Sequence, residues 1–217
     1  MRAAEINYVG PIPLPNSILK NPASFGLVAV SALVFLLFYQ LRIVSLLQLF
    51  NFVPFQVTAA GTQFDKPGDW WRFITPALLH FSWMHLVFNS LWIWEFGRRI
   101  ESRIGSLNLL GLFFVAAIFS NSVQYLASGP SVFGGMSGVV YAFLGFIFAG
   151  NLLRPNWLEP VPAGLMIFML IWLFIGLTGT LSFLGMGAIA NGAHFGGLVV
   201  GFILGGVIGL ISGMGKR

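Results

Sequence analysis

The 217-residue chain contains no cysteine and very few charged residues. The missing cysteines exclude disulfides and thiolate metal sites and leave no clue to the redox compartment. Only 8% of the residues are charged, against about 25% in a typical soluble domain, whereas 57% are hydrophobic and the mean hydropathy is +0.88. The composition therefore predicts a polytopic membrane protein built as one domain. The net charge of +5 forms no basic stripe with interleaved aromatic residues, so nucleic-acid binding is not predicted.

Acidic residues are also scarce, and their positions exclude several kinds of chemistry. The six are Glu5, Asp65, Asp69, Glu95, Glu101 and Glu159. No H-E-x-x-H motif and no carboxylate-rich ligand set occurs, so we predict no metal site. Both aspartates lie in one connecting loop, which argues against hydrolysis by paired membrane aspartates.

Six apolar segments approach the roughly 20 residues that cross a bilayer core of about 30 Å. They are residues 24–44, 77–97, 106–127, 136–153, 162–179 and 192–212. We therefore predict an all-α bundle of six transmembrane helices over residues 23–213, with a short tail at 1–22 and a basic tail at 214–217. The connection at 45–76 is long and aromatic, and we expect it to lie partly in the membrane interface.

The distribution of Lys and Arg predicts that both termini are cytoplasmic. That side would hold eight basic residues: Arg2, Lys20, Arg98, Arg99, Arg103, Arg154, Lys216 and Arg217. The opposite side would hold three: Arg42, Lys66 and Arg72. In this orientation Ser137 and His194 lie at matching depth, near the outer ends of the fourth and sixth segments.

Ser137 and His194 form a candidate catalytic pair, because polar reactive groups inside a membrane are expensive and usually functional. Ser137 begins a short segment, and an N-terminus below the membrane surface presents unpaired N–H groups that favour an anion. Gly197, Gly201 and Gly205 form a stripe that permits close helix packing, and His194 lies one turn before it. Such packing would bring the imidazole to the Ser137 hydroxyl. Alternatively, the stripe is only a packing device and the serine bonds its own helix.

His85 and Asn89 are four residues apart, so they share one face of the second segment. Both side chains can donate hydrogen bonds to a developing oxyanion. The alternative is a polar clasp between helices. Since no acidic residue lies in the fourth or sixth segment, a Ser-His dyad is favoured over a Ser-His-Asp triad.

These residues together resemble the rhomboid family of intramembrane serine proteases, in its six-helix bacterial branch. The resemblance extends from the first to the sixth segment and depends on motifs in a fixed order. They are Trp71-Arg72, His85-x-x-x-Asn89, Glu101-x-x-x-Gly105, Ser128-Gly129-Pro130, Gly135-Met136-Ser137-Gly138 and Ala193-His194-x-x-Gly197-x-x-x-Gly201.

The resemblance implies a role for each residue. Ser137 would be the nucleophile and His194 the general base and acid. The side chains of His85 and Asn89, with the backbone N–H of Ser137, would form the oxyanion hole. Tyr141 would pack on the imidazole and orient it. Trp71, Arg72, Glu101 and the motif glycines Gly135, Gly138, Gly197 and Gly201 would be structural, although Arg72 and Glu101 are also compatible with simple surface charges.

The implied function is hydrolysis of a peptide bond in or next to the transmembrane segment of a single-pass membrane protein. The implied location is a bacterial inner (plasma) membrane, with no cofactor, metal or nucleic acid and with the bilayer as the other partner. By the same resemblance, the fifth helix and residues 180–191 would form a gate. One alternative is a non-catalytic rhomboid-like protein that binds membrane clients, although such relatives typically lack the serine or the histidine. Another is a small channel, which would need polar groups distributed through the membrane.

Overall fold

The computed structural model describes residues 19–178 and 189–214, so most of both predicted tails and of the predicted 180–191 gate loop lies outside the described residues. The helices of the described part are α1 (Pro22–Phe35), α2 (Ser45–Phe50), α3 (Trp83–Ile104), α4 (Ser106–Ser128), α5 (Ser137–Leu153), α6 (Ala163–Leu177) and α7 (Asn191–Met214). A π-helical turn, Leu36–Gln40, extends α1. The predicted helical membrane bundle is confirmed.

Among the described residues, three helices are long and apolar enough to cross a membrane: α1 with its extension, α4 and α7. Helices α5 and α6 are apolar but shorter. Every predicted segment corresponds to a helix, and the count of six crossings stays a prediction.

The second segment was predicted at 77–97, and the structure corrects its bounds. Helix α3 begins at Trp83, where the Ser82 hydroxyl accepts a hydrogen bond from the His85 N–H (3.1 Å), and it continues to Ile104. Residues before it form two 3₁₀ turns, Trp70–Phe73 and Thr75–Leu78. The helix continues past the apolar run, where Arg98 and Arg99 pair with Glu95 and Glu159 and the Glu101 carboxylate is hydrogen-bonded.

The long connection between α1 and α3 contains α2 and an antiparallel hairpin that the sequence analysis did not predict. Strand β1 (Phe55–Thr58) pairs with β2 (Gly61–Phe64), with Phe55 opposite Phe64 and Thr58 opposite Gly61. Each strand is four residues long, which is too short for a clear alternating pattern.

Arg72 joins the later part of this connection to α2, which lies near its start. Its buried guanidinium donates from Nη1 to the carbonyls of Gln48 (2.7 Å) and Asn51 (2.8 Å) and from Nε to Asp69 (2.9 Å). The neighbouring Trp71 indole donates to the Leu49 carbonyl at 3.4 Å. These side chain to backbone bonds therefore join the 3₁₀ turn Trp70–Phe73 to α2 and to Asn51, the residue that follows it.

Helix α5 lies at the centre of the bundle, and all residues from Gly138 to Ile147 are buried. Helix α7 packs against it in parallel and at very short range. A Cβ added to a stripe glycine of α7 would overlap a carbonyl oxygen of α5, in the pairs Gly197 with Gly138, Gly201 with Ala142, and Gly205 with Phe146. The close approach predicted from the glycine spacing is confirmed, and it places the first turns of both helices side by side.

Glu101 joins α3 to the start of α1 at the opposite end of the bundle. Its buried carboxylate accepts from the backbone N–H groups of Ala23 and Ser24, both at 2.8 Å. It also accepts from the hydroxyls of Ser24 and Ser106, both at 2.7 Å. The first N–H groups of a helix have no intrahelical acceptor, so this carboxylate caps α1 from a distant part of the chain.

Candidate active site

The structure brings Ser137 and His194 into direct contact. Ser137 is the first residue of α5, and its Oγ lies 2.7 Å from Nε2 of His194 in the first turn of α7. His194 is buried, whereas Ser137 is half-buried. The hydroxyl donates when the imidazole proton is on Nδ1, which leaves Nε2 free to accept. The parallel packing of α5 on α7 creates this pair.

Tyr141 lies one turn after Ser137 and packs against the imidazole with a tilted ring. The ring centroids of Tyr141 and His194 are 5.0 Å apart, with an interplanar angle of 39°. The phenol hydroxyl donates to the Met169 carbonyl of α6 at 2.9 Å. Because this bond fixes the far end of the phenol ring, the ring limits how the imidazole can rotate.

Gly135 allows His85 to approach the turn that leads into α5. It has a φ of +118°, and an added Cβ would lie 2.5 Å from Nε2 of His85. Its N–H donates to the Pro76 carbonyl at 2.9 Å. A side chain here would be strained by the backbone conformation and would collide with the imidazole. The His85 imidazole therefore lies against Gly135, which is two residues before Ser137 in the chain.

Asn89 is buried one turn after His85, but the structure places its amide on its own helix. Its Nδ2 donates to the His85 carbonyl at 2.9 Å. A side-chain amide has two N–H donors, so one remains for another acceptor. Of the two predicted oxyanion donors, only His85 is seen in contact with the turn before Ser137.

Gln124 is a site residue that the sequence analysis missed. From α4, its Oε1 accepts from the N–H of Ala193 at 3.1 Å, and its Nε2 donates to the Ser128 hydroxyl at 3.1 Å. It thereby satisfies an N-terminal donor of α7 immediately before His194. A signal was present, because an amide side chain inside the apolar segment 106–127 is itself a sign of a polar contact.

Several polar atoms around the pair have no partner among the described residues. They are Nδ1 of His194, Nε2 of His80 and Oδ1 of Asn191, all buried. The His80 ring stacks edge-on against His85, with centroids 4.9 Å apart. Unsatisfied buried polar atoms are rare in native proteins, so a concentration of them indicates a candidate functional site.

Comparison with known proteins adds independent evidence. The sequence model of the rhomboid domain family matches residues 67–211, which include every site residue described above. The chain is 42% identical over 134 residues to proteins named Rhomboid protease GlpG from Photorhabdus laumondii and Yersinia pseudotuberculosis. The alignments cover 62% of this chain and 46% of each relative, so the chain spans about half the length of the curated relatives it matches. With a family match over more than half of its length, this chain belongs to the rhomboid family.

Proposed function

We propose that this chain is an intramembrane serine endopeptidase that uses a dyad of Ser137 and His194. The observation that carries the proposal is the 2.7 Å contact between Oγ and Nε2 inside a bundle of apolar helices. Family membership supports it, since the relatives at 42% identity are named as proteases.

In the first step, the Ser137 oxygen attacks the carbonyl carbon of the substrate and its proton moves to Nε2 of His194. The carbonyl oxygen becomes an oxyanion. The N–H of Ser137 is available for it, because the first N–H groups of α5 have no intrahelical acceptor and lie at the positive end of the helix dipole. We propose Nε2 of His85 and the second amide hydrogen of Asn89 as further donors.

In the second step, the imidazolium donates its proton to the leaving amine and an acyl-serine remains. His194 then removes a proton from water as the water oxygen attacks the acyl carbon. The bond between the acyl carbon and Oγ breaks, the imidazolium returns the proton to Oγ, and the carboxyl product leaves with Ser137 restored. No carboxylate is needed to hold the imidazole. The Tyr141 ring, anchored to Met169, and the Gln124 contact with Ala193 hold it instead.

Single-pass membrane proteins are the proposed substrates, cleaved in or near their transmembrane segment. We also propose that the chain lies in a bacterial inner membrane with both termini cytoplasmic. Six crossings place both termini on one side, and the excess of Lys and Arg assigns that side to the cytoplasm. Trp71, Arg72 and Glu101 would maintain the scaffold, and their bonds to backbone groups support this. The domain would extend over residues 23–213, with the predicted gate at α6 and residues 180–191.

A fluorophosphonate probe tests the nucleophile. The purified full chain in detergent should be labelled at Ser137, and Ser137→Ala should abolish both labelling and cleavage of a transmembrane reporter. Ser120→Ala is the matched control, because this buried serine donates to its own helix at the Ala116 carbonyl and should not react.

Labelling that survives Ser137→Ala would exclude this serine as the nucleophile. A second outcome would favour the client-binding alternative: the wild-type chain is neither labelled nor active but retains a transmembrane partner, and Ser137→Ala retains it equally.

A further inference from the structure

A groove lies where α4, α5 and α7 meet, at the end of the bundle opposite Ser137. Its volume is about 510 Å³. Apolar residues form its walls, with Phe146 of the central helix among them, and its polar side chains are Asn108 and Ser212. Helices α4 and α7 are long and apolar enough to cross a membrane, so the groove opens toward hydrocarbon. Water in such a groove would find few polar partners, which favours an apolar occupant.

Gly111 keeps part of this groove open. It lies inside α4, where glycine lowers helix stability relative to alanine. An added Cβ at Gly111 would meet nothing within 4 Å, whereas one at Gly201 would overlap the backbone of α5. The missing side chain of Gly111 therefore does not serve close packing between helices of this chain. It leaves room for a molecule from outside.

Two arginines without an acidic partner among the described residues lie next to lining residues of the groove. Arg154 donates from Nη1 to the carbonyl of Ser212, a residue of the groove lining, at 2.9 Å. Arg103 immediately precedes Ile104, another lining residue. Within the described part of the chain, the ion pairs at this end involve Arg98 and Arg99 and leave Arg103 and Arg154 unpaired.

We propose that this groove binds one acyl chain of an anionic glycerophospholipid from the surrounding bilayer, with the lipid phosphate held by Arg154. The apolar walls suit the acyl chain. A guanidinium with several free N–H donors suits the phosphate, and Arg103 adds a second positive charge nearby. By contacting α4 and α7 together, the lipid stabilises one end of the bundle.

This lipid site is independent of the proposed peptidase activity. Phe146 lies about 14 Å along α5 from Ser137 at the rise of an α-helix, so the groove and the Ser-His pair share no residue. Lipid binding can therefore be measured without any assay of proteolysis, and failure of one proposal leaves the other standing.

Native mass spectrometry of the purified full chain tests the site, with phosphatidylglycerol and phosphatidylcholine of identical acyl chains as probes. The wild-type chain should retain one phosphatidylglycerol in preference to phosphatidylcholine. Arg154→Gln should weaken phosphatidylglycerol binding about fivefold, the effect expected for one basic residue near a membrane surface. The matched control is Arg42→Gln, an exposed arginine at the other end of the bundle, which should change nothing.

Gly111→Leu tests the acyl-chain half of the proposal. The leucine side chain has room to enter the groove, and leucine is the better helix former, so the variant should fold and retain neither lipid. Arg154→Lys should keep most of the headgroup preference, although the Ser212 contact changes. If Arg154→Gln does not fold, Arg103→Gln should reduce the preference in its place.

Two results would overturn the proposal. One is equal retention of the two lipids by the wild-type chain. The other is phosphatidylglycerol binding that persists unchanged when Gly111→Leu fills the groove.

Discussion

The two ends of the bundle use polar groups in opposite ways. At the Ser137 end the central polar side chains are neutral, a hydroxyl, an imidazole and a phenol, and buried acceptors and donors such as Nδ1 of His194 have no partner among the described residues. At the Glu101 end the buried side chains of Glu101 and Arg99 are charged and well bonded. The Glu101 carboxylate accepts four hydrogen bonds, and Arg99 pairs with Glu95 and Glu159.

This difference separates polar groups that stabilise the fold from polar groups that are available for chemistry. A saturated charge network fixes helices in place and offers little to another molecule, since its lone pairs and protons are already used. A partly unsatisfied neutral cluster costs stability, but its groups remain available to a substrate. The variants below should therefore affect turnover at one end and stability at the other.

The largest effect is expected at His194. His194→Ala removes the proposed base, and loss of general-base catalysis typically lowers turnover about 10²- to 10⁴-fold. Cleavage of a transmembrane reporter, normalised to folded protein by circular dichroism, measures it. Turnover near that of the wild type would show that His194 is not the catalytic base and that the Ser137 end of the bundle is not the active site.

Glu101→Ala should show the next largest effect, on stability alone. It strands two backbone N–H groups of α1 and two hydroxyls, so the free energy of unfolding should fall by about 3 kcal/mol. A denaturant titration in mixed micelles measures this loss. Turnover per folded molecule should stay constant, and a parallel fall would mean that the two ends are not separable.

Asn89→Ala sharpens the comparison, because this amide makes one structural hydrogen bond within its own helix and has a second hydrogen that could serve catalysis. If its second amide hydrogen serves the oxyanion, kcat should fall about 10²-fold with little change in KM. If only the 2.9 Å bond to the His85 carbonyl matters, stability should fall by about 1 kcal/mol and turnover should stay normal. We expect the first result, and the second would reduce the oxyanion hole to His85 and the Ser137 N–H.

The smallest effect is expected at Arg98, within the charged end itself. Its guanidinium is partly exposed and pairs with Glu95 at 3.0 Å and with Glu159 at 3.3 Å. Exposed pairs of this kind contribute less than about 1 kcal/mol, so Arg98→Ala should barely change the unfolding midpoint or the turnover. If Arg98→Ala lost as much unfolding free energy as Glu101→Ala, burial would not explain the different contributions of Arg98 and Glu101 to stability.

The sequence predicted the positions of the candidate site residues where the signal was local. Helical spacing alone places Tyr141 one turn from Ser137 and puts the α7 glycines on one face, because the period of an α-helix is fixed. Gln124 escaped notice because its partner, the N–H of Ala193, lies far along the chain. The hairpin escaped notice because its strands are short.

By itself, the sequence determined the membrane class, through its few charges and its apolar segments, and it singled out Ser137 and His194 as the candidate pair, through the order of its motifs. Only the tertiary structure decided that Glu101 caps α1, that Tyr141 is anchored to Met169, and that the Asn89 amide bonds its own helix. The physical reason is that composition and helical period act over a few residues. The partner of a polar group depends instead on which helices pack together and at what depth.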